Sequence, residues 1–290
     1  MRLVLVHGRS QQGKDPVALQ QAWQRALDEG LVAARLNLPA GTTVSLPFYG
    51  DELDRLVEKA KAPLVADVAT KGASGSDKEL VFRAELAAEL ARNAGLSTAD
   101  IERQMPPGVK DKGPLQWEWV HAILKALDRN AHFGSAFLDG FTRDVYLYLT
   151  IPSVAKAIDN IVLAAMDGPG PCVVVGHSLG SIVSYRVLSA LAGRVDDVRM
   201  FITVGSPLGL NAVRNHLPSP LAMPKKVHRW RNAYDDRDVV ALLPLDEKTW
   251  PIEPAIENHG HVRNRTDNAH GIVGYLNDVK VATWVVEGLT

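Results

Sequence analysis

Five consecutive residues, Gly176-His177-Ser178-Leu179-Gly180, have the type and spacing to do chemistry. A serine flanked by glycines two positions away on each side is the pattern of a nucleophile at the apex of a very tight turn, where a larger neighbour would collide with the backbone. The five letters also arise by chance in long chains, so their context decides. A β-branched apolar run, Cys172 to Val175, precedes them, and a stretch that reads as helix follows. Strand, turn and helix are the setting such a serine needs. The plain alternative is a glycine-rich turn with an incidental serine.

A serine hydroxyl is a weak nucleophile until an imidazole takes its proton and a carboxylate orients that imidazole. Downstream of Ser178, the loop Tyr234-Asp235-Asp236-Arg237-Asp238-Val239-Val240 offers the carboxylates. Asp238 is favoured, because the apolar Val239-Val240-Ala241 beside it would hold its charge partly out of water and strengthen a bond to an imidazole. Asp235 is the runner-up, and a solvated acidic turn is the bland reading. Beyond the acid lie His259, His261 and His270. His270 is favoured as base, since it opens the C-terminal helix and can lean toward the nucleophile; His261 comes next. His177, beside the serine, is expected to point elsewhere. An oxyanion needs backbone N–H donors. Leu179, directly after the nucleophile, supplies one, and the loop His7-Gly8-Arg9-Ser10 the other, with Arg9 chosen over Ser10.

The elements that must position these residues alternate along the chain. Residues 3–6 read as a core strand, and Asp15-Pro16 opens a helix whose apolar face is Leu19, Trp23, Ala26, Leu27 and Leu31. Thr42 to Pro47 reads as a second strand, and Asp51 caps a helix through about Ala60. Loop signals at 71–76 and 105–108 then flank helix formers at 77–94, and Trp117, Val120, Ile123, Leu124 and Leu127 mark another amphipathic helix. No strand is read between Pro63 and Cys172, so 63–150 is assigned as a mainly helical insertion. Asp144 to Met166 is helical with a break at Ile151-Pro152. Val198 to Val204 is a buried strand, Val227 to Asn232 a strand nearer an edge, and Ile272 to Leu289 a closing helix. This alternation predicts one α/β domain over 1–290, with a mainly parallel sheet flanked by helices and its reactive groups at the strands' carboxyl ends.

With these pieces together, the chain resembles the α/β-hydrolase superfamily, lipase/esterase type. The likeness is carried by His7-Gly8 after the first strand, the Gly176–Gly180 elbow, Asp238 before an apolar pair and His270 before the last helix, in the order serine, acid, histidine. It spans nearly the whole chain. The resemblance implies a Ser-His-Asp hydrolase that works through an acyl-enzyme on a small-molecule acyl substrate and uses neither metal nor organic cofactor. A carboxylic ester leads; a thioester or an amide or peptide bond is the alternative. It also implies a helical cap, for which 63–150 is the candidate, placed here before the nucleophile strand, whereas many members carry theirs later. A non-catalytic binding domain on the same fold is the rival of a different class.

Composition narrows the remaining classes. The chain has 290 residues, 46% of them hydrophobic and 22% charged, with a net charge of −1, which points to no nucleic acid and no anionic membrane as partner. No apolar run approaches a membrane span, and the one cysteine, Cys172, fits a reducing compartment and core packing; a cytoplasmic location is expected. Gly8 to Asp15 has the spacing of a phosphate-binding loop. Asp15, however, stands where that motif needs a hydroxyl, and a helix cap explains it better. His259, His261, Asp267 and His270 match no standard zinc spacing. Trp117 and Trp119 could line an apolar pocket, although core packing is the commoner role of such residues.

Overall fold

A computed structural model describes residues 1–68, 74–107, 116–131, 134–190 and 197–290. Six strands, β1 (Arg2–Val6), β2 (Thr43–Ser45), β3 (Cys172–His177), β4 (Val198–Val204), β5 (Trp230–Ala233) and β6 (Glu257–His259), form one sheet in the order β2-β1-β3-β4-β5-β6. All pairings are parallel. The chain steps outward from β1 to β2, then returns to place β3 on the other side of β1. That reversal opens a crevice between the carboxyl ends of β1 and β3, the usual place for a site in such sheets.

Strand alternation divides the core in two. Leu3, Leu5, Val173, Val175, Met200 and Ile202 face one layer, which α1 (Pro16–Ala34), α10 (Ile272–Leu276) and α11 (Val279–Leu289) cover with Trp23, Leu27, Tyr275, Trp284 and Val285. Val4, Val6, Val174 and Phe201 face the other. Over that face lie α2 (Gly50–Val68), α7 (Pro152–Met166) and α8 (Leu179–Ala190), joined by α3 (Ser74–Asn93), α5 (Trp117–Ala131) and α6 (Ser135–Thr150) in a continuous core. Among the described residues between β2 and β3, no strand occurs; the sixth helix of that stretch is the short α4 (Thr98–Glu102). Cys172 is a buried free thiol, pushed up to about 11 by that burial, which keeps it protonated and inert.

Several boundaries differ from the sequence reading. Asp51 is not a cap but lies in the first turn of α2, which continues past Ala60 to Val68. The second strand shrinks to Thr43–Ser45, short of Pro47, which has no N–H for a ladder. Val227 makes only an isolated bridge to Val198, and regular pairing starts at Trp230. β6 was unforeseen, and it takes the edge position expected for β5. The closing helix is two, because the Asp278 carboxylate accepts the Lys280 and Val281 N–H groups at 2.8 and 3.1 Å and so caps α11 afresh. At Ile151-Pro152 the chain bends by 92° between α6 and α7. Among the described residues, no single helix is long and apolar enough to cross a membrane.

Candidate active site

β3 runs straight into the elbow. Ser178 holds a left-handed backbone, φ 54°, and its N–H still donates to Val204 at 3.2 Å, so the turn is tied to the end of β4. The flanking glycines answer to crowding. A Cβ on Gly180 would lie 2.3 Å from the Val6 carbonyl oxygen and 2.4 Å from that of His7; one on Gly176 would lie 2.8 Å from the Ser181 Cα. Only glycine lets α8 start this close to β1. Beneath the elbow, Ser181 Oγ donates to the Ser178 carbonyl at 2.6 Å and lies 2.7 Å from Ser206 Oγ.

Two other loops reach the serine. His270 Nε2 is 2.9 Å from Ser178 Oγ, and His270 Nδ1 is 2.8 Å from Asp238 Oδ2. All three residues are buried, and Asp238 is wholly so. An ionised carboxylate can only accept, so Nδ1 carries the ring proton and Nε2 is left to receive one from the serine. Asp235, the other acid weighed, is turned away: it accepts from Arg237 Nε and Nη2 at 3.0 and 2.7 Å and from the Asn264 N–H at 2.7 Å. Burial pushes its carboxyl up, but the bonds from Arg237 and Asn264 outweigh that and leave it lowered. Through Asn264, whose Nδ2 donates to the Gly271 carbonyl at 2.7 Å, Asp235 anchors the loop that carries His270. His261 lies beside His259, ring centroids 6.1 Å apart, and His259 faces Asp278 at 3.4 Å. Among the described residues, no three His, Cys, Asp or Glu side chains gather as a metal site.

The neighbouring histidines are fixed in opposite tautomers. His177 Nε2–H donates to the His270 carbonyl at 2.8 Å, bracing His270 from behind, and burial above all holds the His177 ring well below the usual histidine range. His7 is brought down to about 4, again chiefly by burial. Its Nε2 accepts the Tyr49 N–H at 3.0 Å, so its Nδ1–H donates to the Gly8 carbonyl at 2.7 Å. A planar trans peptide sets the Arg9 N–H opposite that carbonyl, so His7 fixes the direction of the amide chosen as oxyanion donor. Leu179 opens α8, where N–H groups lack partners within the helix. The first loop abuts Ser178, for a Cβ on Gly8 would sit 2.9 Å from that of Ser178. In the same loop Asp15 accepts the Ala18 N–H at 2.7 Å as the cap of α1, and the Gly13 N–H is spent on Asp51 at 2.7 Å. The first bond caps a helix, and the second takes up an N–H that a phosphate cradle would use.

A cavity of about 340 Å³ opens beside Ser178 and His270. Gly8, Arg9 and Ser10 line one side; Leu19 and Trp23 from α1, Ile272 and Val273 from α10 and Phe137 from α6 give it apolar walls. Trp117 lies elsewhere, under Arg83 at 4.8 Å, and neither it nor Trp119 lines this cavity. Sequence reasoning missed Phe137, whose ring meets that of His270 edge-on at 5.8 Å, and the side chain of Arg9 that secures it. Arg9 Nε donates to Asp144 Oδ2 at 2.8 Å and its Nη1 to the Phe137 carbonyl at 3.2 Å, pinning α6 over the site. Nothing local marks these residues, which lie over a hundred positions apart.

Fold and site together define an α/β protein with a parallel six-stranded sheet and a buried serine, histidine and aspartate in line at its carboxyl edge. No family model, curated protein or solved structure matches the chain.

Proposed function

We propose that this protein is a serine hydrolase of the α/β-hydrolase type that cleaves a carboxylic ester. The observation that carries the reading is the unbroken line from Ser178 Oγ through His270, at 2.9 Å, to Asp238, at 2.8 Å, beside a cavity with apolar walls. In the reaction Ser178 Oγ attacks the acyl carbon while His270 Nε2 takes its proton, and Asp238 balances the imidazolium that results. The N–H groups of Leu179 and Arg9 receive the developing oxyanion. Collapse returns the proton to the departing alkoxide and leaves the acyl group on Ser178; water, deprotonated by His270, then releases the acid. The apolar lining favours a substrate with a hydrocarbon portion. Helices between β2 and β3 serve as the cap on this reading, with Phe137 as their contact to the substrate.

A fluorophosphonate probe tests it directly. Ser178 should form a covalent adduct in the folded chain and none in Ser178→Ala; an unlabelled Ser178 in folded protein would sink the hydrolase reading. A panel of p-nitrophenyl esters of increasing length, run beside an acyl-CoA and a peptide amide, separates ester from thioester and amide cleavage.

A further inference from the structure

Asp238 has one partner more than orienting an imidazole requires. Its Oδ2 lies 2.8 Å from His270 Nδ1 and also 2.6 Å from the Tyr275 hydroxyl, while Oδ1 accepts the Val240 N–H at 3.1 Å. Tyr275 sits on α10, wholly buried, and its hydroxyl oxygen accepts the Asp235 N–H at 3.3 Å. A carboxylate has no proton to offer, so the phenol donates to it, and the bond from Asp235 leaves that direction the favoured one for the phenolic hydrogen. Burial first, and the charge of Asp238 second, push the phenol well above its ordinary range, which keeps it a neutral donor.

We propose that Tyr275 is a positioning residue that, by donating to the carboxylate oxygen His270 also uses, limits the negative charge Asp238 presents to the His270 imidazolium and so sets the pH at which the base becomes free. The inference rests on reading Ser178, His270 and Asp238 as nucleophile, base and acid. A donor shared at one oxygen draws off charge that would otherwise stabilise the protonated ring. The other groups around the pair include His177 behind the base, its ring 4.9 Å from that of His270; Ser178 in front; Asp235 and Arg237 on the acid's own loop, bonded to each other; Lys14, which lines the same cavity; and, from α6, uncharged Phe137, with Arg9 paired to Asp144. Tyr275 alone of these joins His270 on Oδ2.

The test is an NMR titration of the full chain with ¹⁵N-labelled histidine rings, the His270 signals assigned by their loss in His270→Ala. Tyr275→Phe should move the His270 titration midpoint up by about one pH unit, a shift of the size one charged-group hydrogen bond can produce. The acid limb of kcat/KM for p-nitrophenyl acetate should move with it, while the plateau changes only a few-fold. A 3-fluorotyrosine installed at position 275 alone is a stronger donor and should move both the other way; it decides the matter if Tyr275→Phe does not fold. A midpoint unmoved in the folded variants would overturn the proposal and leave Tyr275 as packing. Because the titration needs no turnover, failure of the hydrolase reading would show separately, as absent ester cleavage by the unaltered protein.

Discussion

Around Ser178 the floor of the cavity is made of backbone and the roof of side chains. Below, β1, β3 and β4 are locked by parallel ladders, the Ser178 N–H is bonded to the end of β4, and the elbow glycines leave no room for a methyl group, Gly180 against the end of β1 and Gly176 against the start of α8. Above, α6 meets the site through Phe137 and is held there by side chains: its core residues Leu138, Phe141, Val145 and Tyr148, the largely buried pair of Arg9 and Asp144, and one bond from Arg9 to the Phe137 carbonyl. A strand end in the middle of a sheet cannot shift without disturbing both neighbours, whereas a helix held by side chains can tilt at a smaller free-energy cost. On the hydrolase reading, reactivity belongs to the floor and the choice of acyl group to the roof. Damage to each should therefore look different.

Damage to the floor should have the largest effect. Ser178→Ala should lower kcat/KM by about 10⁵-fold or more, with an unchanged thermal melt, since on the hydrolase reading the serine is a reactant and not a support. Asp238→Asn should follow at about 10⁴-fold, because an amide that donates toward Nδ1 favours the wrong tautomer of His270. Asp235→Asn should lose far less rate but melt at a lower temperature, since Asp235 holds the base loop through Asn264 and Arg237. If steady-state rates place the Asp235 variant below the Asp238 variant, the two acids exchange roles.

The floor also predicts an acid sensitivity. His7 is lowered from 6.5 to about 4 by burial, and His177 lies well below 6.5 for the same chief reason. In the unfolded chain both rings take up protons near pH 6.5. Between there and about pH 4 the unfolded state thus binds protons that the folded one refuses, so stability is full above pH 6.5 and falls as the pH drops, by about 3 kcal/mol for His7 alone. Urea unfolding at pH 7 and pH 5 should show about 2 kcal/mol of this loss from His7, and His7→Gln should shrink it. An equal loss in that variant would mean that the His7 ring is not held neutral.

What could be read from the residues follows the same division. β1 and β3 carry unbroken apolar runs, and β4 nearly so, because both faces of a central parallel strand are buried, and the elbow glycines declare a steric need that is local. The spacing after them pointed to Asp238 and His270, which the fold brings into line with Ser178. β6 left no such mark, since Glu257-Asn258-His259 is polar and is a strand only by pairing with β5 at the sheet edge. Tyr275 was visible only as an aromatic in an apolar helix; which way α10 turns, and hence which carboxylate its hydroxyl meets, depends on packing against α1. Phe137 and Arg9 find each other across more than a hundred residues, a contact that no periodicity encodes.

Phe137 offers the finest cut between floor and roof. Its ring is half-buried, closes one wall of the cavity and meets the His270 ring edge-on without a hydrogen bond to Ser178, His270 or Asp238. Phe137→Ala removes that wall and leaves Arg9 bonded to Asp144 and to a main-chain carbonyl that alanine also has. Turnover of p-nitrophenyl acetate should fall only a few-fold, since an aromatic edge contact is worth about 0.5–1.5 kcal/mol. The ratio of kcat/KM for a long ester to that for acetate should rise by about tenfold, the size of effect one hydrophobic wall exerts on specificity. If acetate turnover falls further than the ratio moves, Phe137 is aligning the base rather than selecting the chain, and roof and floor act as one reactive unit.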